Sequence, residues 1–437
     1  MRPVVCIVGR PNVGKSTLFN RIVGSRIAIT EDRPGVTRDR IYAEAEWLNN
    51  YFILIDTGGI EPYSDDIILS QIKRQAEVAI DTADIILFVV DGLDGVTSTD
   101  REIANLLRKS GKKVILVCNK VDTPKTPDIV YEFYELGFGE PTVVSAGQSL
   151  GLGDLLDKVI ENFPEGKDTE YEEGVIKVSI IGKPNVGKSS LINNVLGEDR
   201  VIVSNIPGTT RDAIDTPFTY REDKYVFIDT AGVRRKRNVS ENVERYSVIR
   251  TLTAIERSDI SILMIDATEG VTEQDAKIAG YAHERGKGLI IAVNKWDLIE
   301  KANNTYREFE KNIRNKLSFV IYAPIIFVSA KTGKRVDKLL QLIKKVYNSY
   351  TQKISTGVLN DIINEAVLLS PPPTDKGKSL KIYYGTQIGV KPPKFAIFIN
   401  NAKLLHFSYE RYIENQIRSH FGYEGTPIRF QFREKGD

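Results

Sequence analysis

The sequence predicts an α/β protein. It holds two tandem copies of one domain, each a mainly parallel sheet with helices on both faces, and then a smaller α+β unit. Three observations predict this. Blocks of residues recur at a fixed offset, short apolar runs alternate with stretches of helical spacing in each copy, and the chain changes character near residue 351.

A length of 437 residues fits two or three domains. Hydrophobic residues at 41% and charged residues at 27% are usual for a globular chain. A net charge of +2 excludes nucleic-acid binding through overall charge, so any such surface is local. Cys6 and Cys118 sit inside apolar runs and read as small core residues, with no disulfide framework or cysteine metal site implied. The first apolar run is too short for a secretory signal, and no stretch approaches a membrane span. A cytoplasmic, membrane-free protein is expected.

The repeat fixes the organisation. Gly9-Arg10-Pro11-Asn12-Val13-Gly14-Lys15-Ser16 returns as Gly182-Lys183-Pro184-Asn185-Val186-Gly187-Lys188-Ser189, an offset of 173. Pro34-Gly35-Val36-Thr37-Arg38-Asp39 and Pro207-Gly208-Thr209-Thr210-Arg211-Asp212 keep that offset, as do Asp56-Thr57-Gly58-Gly59 and Asp229-Thr230-Ala231-Gly232. Asn119-Lys120-Val121-Asp122 matches Asn294-Lys295-Trp296-Asp297 at 175, and Ser145-Ala146 matches Ser329-Ala330 at 184. Insertions thus accumulate in the later loops. The expected domains are 1–162 and 175–350, joined by an acidic linker at 163–174, with a third domain at 351–437.

In the first copy, strands are expected at 4–8, 52–55, 85–90, 114–117 and 143–144. The second copy repeats them at 178–181, 226–228, 260–265, 289–293 and 325–328. Helices are expected at 16–23 and 189–196, directly after the glycine loops, and at 336–350.

Gly-x-x-x-x-Gly-Lys-Ser between a strand and a helix is a phosphate-binding loop. Its inward N–H groups and the positive helix end hold phosphate oxygens. Gly9, Asn12, Val13, Gly14, Lys15, Ser16 and Thr17 form the first loop; Gly182, Asn185, Val186, Gly187, Lys188, Ser189 and Ser190 form the second. Lys15 and Lys188 are expected to reach the β and γ phosphates. Ser16 and Ser189 are expected to place a hydroxyl on Mg²⁺. Asp56 and Asp229 each end a strand, where ligands bind in such sheets, and can hold the same ion. Thr37 and Thr210 lie in polar loops that can close over Mg²⁺ when a γ-phosphate is present. Gly59 and Gly232 can offer an N–H to that phosphate.

The base is read by Asn119, Lys120 and Asp122, and by Asn294, Lys295 and Asp297. A carboxylate accepts two hydrogen bonds from guanine N1–H and its exocyclic amine; adenine lacks that pair of donors and would strand a buried aspartate. Ser145-Ala146 and Ser329-Ala330 can present a backbone N–H to guanine O6.

Together these motifs resemble the translation-factor-like P-loop GTPases, and within them the double-G-domain bacterial GTPase family known as Der or EngA. The resemblance covers nearly the whole chain, including Lys381-Ile382-Tyr383-Tyr384 and Phe407-Ser408-Tyr409-Glu410-Arg411 in the tail. It implies GTP hydrolysis to GDP and phosphate, a KH-like third domain, and a role in assembling the large ribosomal subunit. The implied partner is that subunit or its precursor, rRNA and ribosomal proteins together, bound by a monomer.

Many small GTPases carry glutamine after Asp-x-x-Gly. Here Ile60 and Val233 stand there, and neither can orient water. Asn12 and Asn185 occupy the position where related GTPases help hold K⁺, a charge that can stand in for an arginine finger. The alternative is an asparagine that merely shapes the loop. Arg234-Arg235-Lys236-Arg237 follows the second Asp-x-x-Gly motif, whereas the first copy has Glu61-Pro62-Tyr63-Ser64. That basic run is either a contact for RNA phosphates or an acidic surface, or a solvated loop.

Residues 351–437 hold 12 Lys or Arg against 8 Asp or Glu. Helices are expected at 357–369 and 408–420, and strands at 381–384, 395–399 and 428–432. The formal Gly-x-x-Gly match of KH domains, Gly422-Tyr423-Glu424-Gly425, falls between a helix and a strand instead of between two helices. A docking surface, which can still face RNA, is therefore expected in place of an RNA clamp. Tyr383, Tyr384, Phe407 and Tyr409 could stack bases, but packing in the core or between domains is the expectation. His283, His406 and His420 carry no ligand pattern. The rival functions are a switch for another RNA-processing machine, which usually carries one G domain, and a nucleotide-stabilised RNA-binding scaffold.

Overall fold

A computed structural model describes residues 3–24, 42–60, 76–77, 79–80, 82–123, 127–164, 171, 174–197, 201–203, 215–230, 243–300, 302, 304–372, 374–375 and 378–434. Contacts group the chain into two compact units. One holds residues 1–170 with 239–253, the other 171–238 with 254–437.

In the first unit, strands β1 (Val4–Val8), β2 (Tyr42–Trp47), β3 (Asn50–Asp56), β4 (Ile85–Asp91), β5 (Lys113–Asn119) and β6 (Thr142–Val143) form one sheet in the order β2-β3-β1-β4-β5-β6. All neighbours are parallel except the β2–β3 hairpin. Strand residues alternate between two apolar layers, which is what covering both faces of a parallel sheet requires. Val4, Cys6 and Val8 join one layer with Ile103, Ala104 and Leu107 of α2 (Ser98–Lys109). Val5 and Ile7 join the other with Leu18 and Phe19 of α1 (Lys15–Gly24) and Leu155 and Val159 of α3 (Leu152–Glu161). Cys6 and Cys118 are buried, unpaired core residues, and burial pushes both thiols up to about 12.

The second unit repeats the design. Its strands are β7 (Ile176–Ile181), β8 (Val201–Val203), β9 (Thr216–Tyr220), β10 (Asp223–Ile228), β11 (Ile260–Asp266), β12 (Gly288–Asn294) and β13 (Ile325–Phe327), ordered β13-β12-β11-β7-β10-β9-β8. Helices α4 (Lys188–Leu196), α6 (Glu273–Glu284), α7 (Thr305–Lys316) and α8 (Val336–Thr351) accompany them, and α5 (Val243–Arg257) enters this unit from residue 254. The antiparallel strands β2, β8 and β9 were not expected. β2 and β9 alternate polar and apolar residues and give no continuous apolar run, and β8 is a run of only three residues at the sheet edge.

The stretch expected as a linker is anchored at both ends by aromatic burial. Phe163 packs on Phe52 in the first unit, with ring centroids 5.7 Å apart. Tyr171 packs beside Val226 and Ile228 in the second unit and donates its hydroxyl to Asp215 at 2.9 Å.

Residues after 351 form α9 (Thr356–Leu369), a short β14–β15 pair (Thr374–Asp375, Lys378–Ser379), β16 (Ile382–Gly389), β17 (Lys394–Ile399), α10 (Phe407–Phe421) and β18 (Arg429–Glu434). The three longer strands make a sheet in the order β16-β17-β18, with both helices sharing its core. The Gly-x-x-Gly match does lie between α10 and β18, and it packs against the preceding part of the same unit. Gly425 N–H donates to Tyr322 O at 2.8 Å, and Gly425 O accepts from Leu289 N–H at 2.7 Å. A Cβ on Gly425 would lie 2.4 Å from Val346 Cγ2, so only glycine fits. Tyr409 is buried as expected. Tyr383, Tyr384 and Phe407 are not: they are 44%, 46% and 65% exposed. Tyr384 stacks on Phe398 across β16 and β17, a pairing along the sheet that needs no covering layer.

Candidate functional site

Each sheet places its motifs at the carboxyl ends of the strands, where ligands bind in such folds. In the first copy, β1 ends at the glycine loop and α1 begins at Lys15. Asn12 and Asn185 hold left-handed backbones, φ 66° and 63°, with exposed side chains. Gly14 and Gly187 have φ of 92° and 101°, and a Cβ on either would strike the asparagine amide of the base-reading turn at 2.3 and 2.2 Å. Thr17 and Ser190 are exposed on the first turns of their helices.

Lys15 is buried and donates to Gly9 O at 2.7 Å and Arg10 O at 2.8 Å, wrapping the loop around its own ammonium. Burial pushes Lys15 down to about 8; the Asp56 carboxylate pulls against this and Arg10 adds to it. Lys188 repeats the arrangement, donating to Gly182 O at 2.5 Å and Lys183 O at 2.7 Å. Ser16 donates its hydroxyl to buried Asp56 at 2.6 Å, and Gly58 N–H reaches the other carboxylate oxygen at 2.9 Å. A hydroxyl and one carboxylate beside a phosphate loop suit Mg²⁺, which takes few protein oxygens and completes its shell with water and phosphate. Asp229 follows β10 with φ 57°, and its N–H donates to Asp215 at 2.9 Å. Arg257 pairs with Asp215 and holds it in place.

Asn119 does not stand alone in its loop. Its amide donates to Val13 O at 2.8 Å, and its carbonyl accepts from Ala146 N–H at 3.0 Å. Asn294 makes the same two bonds, to Val186 O at 2.7 Å and from Ala330 N–H at 2.8 Å. One buried side chain thus joins the phosphate loop to the Ser-Ala loop. Asp122 and Asp297 are exposed, not buried as the sequence implied. The carboxylate that reads a base must face the opening the base enters by. Asp122 accepts from Ser145 Oγ at 2.5 Å. Ser145 and Ser329 are buried.

Sequence reasoning passed over Asp91 and Asp266. Each ends the strand beside the one that leads into the Asn-Lys-x-Asp motif and lies level with its asparagine: Asp91 with Asn119, Asp266 with Asn294. Lys120 donates to Asp91 at 2.6 Å and Lys295 to Asp266 at 2.5 Å. Burial alone would raise both carboxyls, but the lysine bonds and the turn N–H groups outweigh it and hold both below the usual range. The signal was present, since the two acids stand 175 residues apart, the offset of the base-reading motif. Asp215 had no such signal, since Tyr42 stands 173 residues before it.

Gly59 falls in the turn Thr57–Ile60 after β3. Thr37, Thr210, Gly232, Val233, the run 234–237 and its counterpart 61–64 lie outside the described residues.

The chain is similar to several known proteins. A family model described as "50S ribosome-binding GTPase" matches residues 4–120 and 177–295. One described as "KH-domain-like of EngA bacterial GTPase enzymes, C-terminal" matches residues 353–433. A protein named GTPase Der from Alkaliphilus metalliredigens is 62% identical over 434 residues, covering 99% of each chain. Its namesake from Caldanaerobacter subterraneus is 61% identical over 437 residues, covering 100% of this chain and 99% of its own. Among solved structures, Era from Aquifex aeolicus bound to GDP.AlF4- is 24% identical, with a TM-score of 0.31; the match covers 60% of this chain and 93% of that one.

Proposed function

The chain belongs to the double-G-domain GTPase family named Der or EngA, and on that premise we propose that it is a Mg²⁺-dependent, K⁺-stimulated GTP switch acting on the assembling large ribosomal subunit. GTP binding and hydrolysis follow from the family. The observation that carries the reading is the twofold Asn119 and Asn294 bridge, which makes phosphate grip and base reading one connected unit in both domains. Ser16, Ser189, Asp56 and Asp229, with Thr37 and Thr210, would hold Mg²⁺, which offsets charge on the transferring phosphoryl group. Asp122 and Asp297 read guanine, and the Ala146 and Ala330 amides are shared between asparagine and guanine O6. Site assignments and the three-domain division stand on the same basis.

The partner is supported by the KH-like match and by the "50S ribosome-binding" description of the family model. No helix among the described residues is long and apolar enough to cross a membrane; a cytoplasmic monomer is in keeping with this. The protein is expected to co-sediment with large ribosomal subunits in one nucleotide state. GTP analogue and GDP should give different bound fractions, and equal, near-zero binding in both states would remove the ribosomal assignment.

Neither Ile60 nor Val233 can position water, so a cation held near Asn12 and Asn185 is the proposed substitute. Steady-state phosphate release is expected to run about tenfold or more faster in KCl than in equal NaCl. Equal rates would leave the asparagines as loop-shaping residues.

A further inference from the structure

Asp91 and Asp266 do more than fill space under the base pockets. Each carboxylate is fixed by its own turn before it meets the lysine. Asp91 Oδ1 accepts from Leu93 N–H at 3.0 Å; Asp266 Oδ1 accepts from Thr268 N–H at 2.9 Å and its hydroxyl at 2.7 Å. In both, Oδ2 remains for the ammonium. Lys120 and Lys295 hold left-handed backbones, φ 69° and 59°, which aim the side chain back across the sheet end. The lysine stem therefore runs from the end of one strand to the end of its neighbour. In the chain the lysine stands between the asparagine that joins the loops and the aspartate expected to read the base. Four methylenes fixed in that position offer an apolar surface to a purine face.

The two sites then diverge. Arg10, inside the first phosphate loop, approaches Asp91 at 4.0 Å, Asp94 at 2.6 Å and Asp100 at 3.6 Å. Lys183, its counterpart, pairs with Glu269, which stands 175 residues after Asp94, so that ion pair is common to both sites and the longer approach of Arg10 to Asp91 is what differs. In the first domain the acid that holds the lysine of the Asn-Lys-x-Asp turn thus also lies 4.0 Å from the Arg10 guanidinium, whose hydrogen bond goes to Asp94.

We propose that Asp91 and Asp266 are positioning residues for guanine recognition, each acting through the lysine of its own Asn-Lys-x-Asp turn, and that Asp91 also couples its base pocket to the phosphate loop through Arg10. This rests on the nucleotide-binding reading of the two sites.

A full-length chain with Lys15→Met silences the first site and gives the parent for titration with fluorescent GDP. A parent that binds no GDP would refute the nucleotide reading itself. Given binding, Asp266→Asn is expected to raise Kd about tenfold, the scale of one hydrogen bond to a charged group. Lys295→Met should match it, and the double variant should cost no more than Lys295→Met alone. With GTP, KM should rise while kcat holds, because base contacts bind ground and transition states alike. An unchanged Kd, or costs that add in the double variant, would overturn the proposal; additive costs with a lowered unfolding midpoint would mark a purely structural acid. If Asp266→Asn does not fold, the same cycle with Asp91→Asn and Lys120→Met, in a Lys188→Met parent, decides the question. There Asp91→Asn should cost more than Lys120→Met, since Arg10 loses a nearby acid too, and the double variant should cost no more than Asp91→Asn alone. Equal costs would remove the link to the phosphate loop.

Discussion

Replacing Asp122 with asparagine is expected to weaken GTP binding at the first site by about 10³-fold or more and to make xanthosine triphosphate the better ligand. Asp297→Asn should do the same at the second site alone. A carboxylate facing N1–H and the exocyclic amine makes two bonds to a charged acceptor, each worth ~1.5–3 kcal/mol. The amide turns one acceptor into a donor, which faces the guanine amine as donor to donor. Xanthine carries a carbonyl there and restores the pair. Sites that hydrogen-bond a group reject its mismatch by ~10⁴ or more, so the switch should be large despite the exposure of both aspartates. The base itself covers them on docking. Competitive titration of each variant with GDP and XDP measures the effect, and an unchanged preference for GDP would place the base elsewhere.

Lys15→Met is expected to weaken GTP binding at the first site by about 10²-fold or more, with Lys188→Met acting likewise at the second. The ammonium is already desolvated and pointed at loop carbonyls, so phosphate meets a charge that water does not screen. That arrangement lowers the stability of the free fold. Lys15 titrates near 8 in the folded chain against 10.5 as its ordinary value. Between those values the unfolded chain holds more protons, so stability rises with pH through that window. Below pH 8 the penalty of burying the charge is present in full. It amounts to roughly 3 kcal/mol at most. Lys15→Met should therefore unfold later than the parent at pH 7 and lose this pH dependence. Phosphate binding reverses the shift: GDP binding near pH 9 should take up close to one proton at the first site. Calorimetry in buffers of different ionisation heat reads this, and identical proton uptake in Lys15→Met would count against Lys15 as its source.

Different parts of the site were legible to different degrees. The glycine loops could be read because a helix start that cradles phosphate needs glycine at fixed spacing, and Gly14 and Gly187 do adopt left-handed backbones. Asp91 could have been found from the 175-residue repeat. It was missed because an aspartate ending a strand also suits a turn. Asp215 could not have been found: its partners Tyr171, Asp229 and Arg257 are set by packing, and the first copy has tyrosine at its place. Tyr384 and Phe407 were misplaced because aromatic composition says nothing about which sheet face is covered.

By itself the sequence determined the two α/β copies, the order of their apolar parallel strands, the helix after each glycine loop, and the residue types at each expected phosphate and base position. These are local requirements of backbone angle and side-chain period, and a chain writes them in consecutive residues. The tertiary structure decided which distant groups meet: Asn119 with Val13 and Ala146, Lys120 with Asp91, and Gly425 with Tyr322 and Leu289. Such partners are chosen by the register of neighbouring strands and by the volume that packing leaves, and neither is carried by any single stretch of chain.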